Sequence, residues 1–159
     1  VEDRKVTMAA LEKEKATGGK PAVAIELPDG TIVTGRTSKL LGAAASALLN
    51  ALKAVGEIDD EVKLISPKAI DPIQALKINY LGSRNPRLHT DEVLTALSAT
   101  AADNETAMLA MKQLPLLKGC DAHSTVLLSS VDEQIFKKLG IQLTCEPRYE
   151  EDERMYHKH

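Results

Sequence analysis

Tryptophan is absent, and one phenylalanine and three tyrosines are the only aromatic residues in a chain of 159. Aromatic side chains bury the most area per residue, so a core here rests on Leu, Ile, Val and many Ala. That composition favours closely packed helices over broad surfaces for stacking flat ligands. A basic excess is also missing. Lys and Arg number 20 against 23 Asp and Glu, a net charge of −3, which argues against a binder of nucleic-acid backbone. Two cysteines are too few for a disulfide framework and fit a reducing compartment. No apolar run approaches the roughly 20 residues that a membrane span needs, and there is no basic-then-apolar leader. The expected location is cytoplasmic, with neither nucleic acid nor membrane as partner.

What is present suits one domain, since a chain of this length buries about two-thirds of its unfolded surface. VEDRKVTMAALEKEK opens without an initiator methionine and is poor in large apolar groups. It reads as a connector helix, residues 1–18, from an upstream region, closed by Thr17-Gly18-Gly19. In PAVAIELPDGTIVTG, Val23, Ile25 and Leu27 alternate with small or polar residues, turn at Pro28-Asp29-Gly30 and resume at Thr31. Period-two alternation about Asp-Gly predicts a β-hairpin.

Leu41, Ala44, Leu48, Leu52 and Val55 recur at helical steps in TSKLLGAAASALLNALKAVG, with Thr37 or Ser38 as cap and Gly56 as stop. The Gly, Ala and Ser surface from Gly42 to Ala47 admits another backbone, from a neighbouring helix or a second subunit. EVKLISP reads as a short strand ended by Pro67. A helix from about Lys68 to Tyr80 then needs Pro72 in its first turn. Helices from Thr90 and from an Asn104 cap follow, the second stopping at Pro115. STVLLS (Ser124–Ser129) reads as a buried strand, Ser130 to Glu133 as a capping box, and IQLTCE as the last strand. Residues 19–148 form the expected α/β domain and 149–159 a charged, mobile tail.

Between two helices lies LGSRNPRLHTDE. Arg84, Asn85, Arg87 and His89 crowd about Pro86, directly before a helix start. Guanidinium forks match phosphate or carboxylate oxygens, and free N–H groups at a helix start add donors, so these four residues are the candidate ligand-binding set. Asp91 and Glu92 in that helix's first turn can pair with the same arginines, which makes a purely structural loop the competing reading. Cys120, His123 and Cys145 offer soft ligands for zinc or a thiol–imidazole pair, but without a C-x-x-C spacing, and no metal is assigned to them.

The blocks GTIVTGRTSKLLG, KLISP, LGSRNPRLHTDEVL, KGCDAHSTVLLSSVDE and KKLGIQLTCEP, in this order, resemble the C-terminal part of the bacterial family called domain of unknown function 1846. The likeness runs from Asp3 to Tyr156. It implies a longer protein whose N-terminal region carries a glycine-rich, phosphate-loop-like stretch, and hence a nucleotide or phosphorylated ligand for the intact molecule, with no cofactor in this part. It also implies a layout similar to cytidine deaminases: a mixed, mainly parallel sheet of about five strands, starting with a hairpin and carrying helices on both faces. The zinc motifs of that fold, H-x-E and P-C-x-x-C, are replaced here by Arg36-Thr37-Ser38 and Ser66-Pro67-Lys68-Ala69, so deamination does not follow from the shape. The leading expectation is a domain that completes an anionic-ligand site with its own N-terminal domain. The alternatives are a non-catalytic homo-oligomeric assembly module and a zinc or thiol enzyme.

Overall fold

A computed structural model describes residues 5–59, 61–65, 67–83 and 85–148; the expected tail and Arg84 lie outside them. The order of elements is α1 (Lys5–Ala16), β1 (Ala22–Glu26), β2 (Ile32–Arg36), α2 (Ala43–Val55), α3 (Pro67–Ala75), a π-helical turn (Leu76–Tyr80), α4 (Thr90–Ala101), α5 (Glu105–Lys112), a 3-10 turn (Leu114–Leu117), β3 (Asp121–Ser124), α6 (Ser130–Lys138) and β4 (Gln142–Cys145). The class is α/β. The sheet has four strands, ordered β2-β1-β3-β4.

The hairpin forms as its alternation predicts, with Ala22 opposite Arg36 and Glu26 opposite Ile32. Gly30 takes a positive φ of 89° while the Asp29 carboxylate accepts the Thr31 N–H at 2.9 Å, the chemistry that places Asp-Gly in such turns. β1 also pairs antiparallel with β3, and only β3 and β4 run parallel. Where a mainly parallel sheet of about five strands was expected, the described residues form a mixed sheet of four. In EVKLISP, which reads as a strand, residues 61–65 instead bury Leu64 and Ile65 in the core without any ladder. Pro67 opens α3 immediately afterwards, a position that suits its fixed φ.

Three further boundaries move for local reasons. The second helix starts at Ala43 because the Ser38 hydroxyl accepts the N–H groups of Leu40 and Leu41 in a turn of its own instead of capping. β3 is DAHS and not STVLLS: the Ser124 hydroxyl donates to Val126 O and accepts Val126 N–H, which turns the chain out of the sheet. The cap of α6 is Ser129, whose hydroxyl accepts the Asp132 N–H at 3.2 Å, one residue before the expected box. Pro72 sits inside α3, past its first turn, where it withholds the hydrogen bond that would run to Lys68. The segment continues only as the π-helical turn.

Helices cover both faces of the sheet. Val23 and Ile25 join α2 in the main core, while the alternating Ala24 packs with Val6 and Ala10 of α1. The helix expected as a connector thus lies on the sheet, with Val6 and Ala10 fully buried. The small-residue surface of α2 is also occupied within the domain. Strand β2 is a close neighbour of it: a Cβ built on Gly35 would sit 2.2 Å from the Ala47 nitrogen. Asn104 caps α5 through the Ala107 N–H at 3.0 Å, and Asn104→Ala should cost about 1 kcal/mol, read by chemical denaturation.

Candidate functional site

The loop after the π-helical turn is pinned before any ligand is considered. Leu81 N–H donates to Leu76 O at 3.0 Å and Ser83 N–H to Lys77 O at 2.8 Å, with Gly82 at a φ of 71°. The Asn85 side-chain oxygen accepts Arg87 N–H at 3.0 Å, and Asn85 N–H donates to the Ser83 hydroxyl. Arg87 Nε donates to Ser38 O at 2.7 Å. Fully buried Leu88 bridges to the segment ahead of α2, donating to Leu40 O and accepting Gly42 N–H. The starts of α2 and α4 are thereby tied to one loop.

His89 stands at the N-cap of α4. Its backbone N–H donates to Glu92 Oε1 at 2.9 Å, and the same oxygen accepts the Lys77 ammonium at 2.9 Å. Lys77 is buried and also donates to Arg87 O. The His89 ring faces α6, with Nδ1 3.5 Å from Asp132 Oδ2. The other Asp132 oxygen accepts both the backbone N–H of Thr90, at 2.9 Å, and its hydroxyl, at 2.7 Å. Asp132 and Thr90 are buried, whereas the His89 side chain keeps 27% of its surface exposed.

The hydrogen bond to Asp132 raises the His89 pKa, against the opposing effect of burial. Burial alone would push the Asp132 carboxyl up, but the hydrogen bonds from His89 and from Thr90 hold it below the ordinary carboxylate range. The pair therefore favours imidazolium and carboxylate together. A protonated imidazole donates from both ring nitrogens. Nδ1 is directed at Asp132.

Of the four candidates, Asn85, Arg87 and His89 are brought together in one loop, Asn85 and Arg87 holding its shape and His89 carrying the accessible ring. Glu92, expected to pair with an arginine, is taken by Lys77. Lys77, Thr90 and Asp132 escaped the sequence reading. Thr90 and Asp132 meet across 42 positions, and the only local sign of Asp132 was its place in a cap.

Cys120, His123 and Cys145 are not gathered. His123 pairs with Thr144 in the parallel ladder and Cys145 with Ser124, so His123 and Cys145 face opposite sides of the sheet. The His123 ring is engaged by the Thr144 hydroxyl and the Glu146 carboxylate, each at 2.7 Å. Burial pushes both thiols up, away from the thiolate that metal binding and nucleophilic attack require. Among the described residues no group of three His, Cys, Asp or Glu could hold a metal ion, and no helix is long and apolar enough to cross a membrane.

A family model described as "Domain of unknown function DUF1846, C-terminal" matches residues 2–156. A UPF0371 protein of Corynebacterium urealyticum is 58% identical over 147 residues, covering 92% of this chain and 29% of that protein. One from Corynebacterium glutamicum is 57% identical over 150 residues, 94% of this chain and 30% of the relative. One from Streptococcus sanguinis is 54% identical over 156 residues, 98% and 31%. The chain spans about three-tenths of the length of these curated relatives.

Proposed function

This chain belongs to the DUF1846 C-terminal domain family, and from that premise we propose that it completes a site for an anionic, phosphate-like ligand together with the larger remainder of the family's polypeptide. The reading rests on one observation above the others: a partly exposed His89 ring beside buried Asp132, whose hydrogen bond raises the imidazole pKa, in a loop already fixed by Asn85 and Arg87. A cationic donor that is rigid before binding saves the ordering cost that a mobile side chain would incur. Arg87, two residues before it, adds a second positive group, and the start of α4 adds its dipole. Arg84 belongs to the same proposed set.

The test is a thermal-stability screen of the full-length Corynebacterium glutamicum relative and of this chain with inorganic phosphate, nucleotides and sugar phosphates. A ligand at a hundred times its Kd adds about 2.7 kcal/mol, visible as a raised midpoint. His89→Gln should remove most of that gain, and Arg84→Ala with Arg87→Ala the rest. Because the His89 pKa is raised, binding should hold through the ordinary imidazole range and weaken only as pH rises through the elevated value. Undiminished phosphate binding in His89→Gln would end the proposal.

A further inference from the structure

The π-helical turn wears its side chains inside out. Across residues 76–81 the lysine is buried, while Leu76, Ile78, Tyr80 and Leu81 are 48%, 40%, 80% and 69% exposed. A turn governed only by this domain's own packing would bury the apolar groups and let the ammonium snorkel to water. Here Lys77 is instead held inward by Glu92 and the Arg87 carbonyl, which leaves four apolar groups of six consecutive residues pointing outward. Wider helical turns of this kind are frequent at functional sites, and a concentrated exposed apolar patch marks an interaction surface.

We infer that this turn is the seat on which the rest of the family's polypeptide docks, through an apolar surface that covers Leu76, Ile78, Tyr80 and Leu81. Two arguments select that occupant over a second copy of the chain. The first is length: roughly seven-tenths of each relative lies outside the matched span, so in those proteins a large covalently attached body is at hand to cover an apolar face of this domain. The second is area. One turn falls well short of the roughly 800 Å² per partner that free subunits need for a stable interface. A tethered body binds at an effective concentration near the millimolar range, so a small apolar seat suffices.

The inference does not depend on the ligand reading, because docking survives even if the loop binds nothing. If both hold, the attached body lies next to Arg87 and His89, since Lys77 ties the turn to that loop.

Carbene footprinting tests the seat. The full-length Corynebacterium glutamicum relative is labelled over the segment aligned with residues 76–81, and this chain over the segment itself. The expected result is several-fold less label per apolar residue in the longer protein, with full labelling in this chain at every concentration. Equal labelling of the two would overturn the inference. So would concentration-dependent protection in this chain accompanied by a dimer in sedimentation, which would assign the patch to a second copy. Leu81→Gln with Tyr80→Gln provides an independent readout. Both side chains are exposed, so this chain's melting midpoint should stay put, while the same changes at the aligned positions of the relative should speed proteolytic separation of its parts. Unchanged proteolysis would also count against the seat.

Discussion

Gly35→Ala should cost at least about 3 kcal/mol, because a single methyl there meets backbone and not a movable side chain. The added Cβ would lie 2.2 Å from the Ala47 nitrogen, 2.6 Å from its Cα and 2.6 Å from the Ser46 carbonyl carbon. Neither β2 nor α2 can yield alone. β2 is fixed by five paired positions with β1, and α2 is packed through Ala44, Ala47, Leu48 and Ala51. The sign is diagnostic. Gly35 is not among the glycines with positive φ, so on conformational grounds alone alanine would stabilise by restricting the unfolded chain. Denaturant midpoints of the two proteins decide, and a neutral or stabilised alanine variant would mean that the strand and the helix are not in this close approach.

Asp132→Ala should be nearly as costly, about 3 kcal/mol, because it orphans the buried backbone N–H and hydroxyl of Thr90 and strips His89 of its counter-charge. Its pH signature separates it from an ordinary core defect. The Asp132 pKa is depressed from 3.8, so its contribution is complete above that value and is lost as pH falls through the lower folded one. The His89 pKa is raised from 6.5, so its contribution is complete below 6.5 and is lost as pH rises through the higher folded one. The pair stabilises most between these ordinary values. Wild type minus Asp132→Ala, followed by denaturation across pH, should trace a plateau there with a fall on each side. A difference independent of pH would show that the interaction is not ionic.

Signals confined to a few neighbouring residues were legible in the sequence. Asp29-Gly30 announced the hairpin, Gly18 the end of α1, and Asn104 the cap of α5, because each acts through its own backbone or that of residues three or four away. The loop from Leu81 to His89 was legible as a dense cluster for the same reason. What it connects to was not. Lys77 looked like any charge on an amphipathic helix, and only the fold brings it under Glu92. Asp132 bonds a residue 42 positions earlier, a relation no local pattern encodes. The direction of the sheet was hidden in the same way: helices between strands suggested parallel crossovers, yet β1 meets β3 head to tail, across nearly a hundred residues.

That long-range pairing has a consequence for how the molecule comes into being. β1 lies inside the finished sheet, flanked by β2 and β3, but during synthesis its second neighbour emerges only after five helices have been made. Until then the hairpin carries one unsatisfied row of N–H and carbonyl groups along Val23 to Glu26, next to the apolar Val23 and Ile25. Such an edge is a template for pairing with the wrong strand, and contacts this distant in sequence slow the closing step. On the ribosome, the sheet thus waits for β3, which both completes the core and retires the β1 edge through which a half-made chain could capture another.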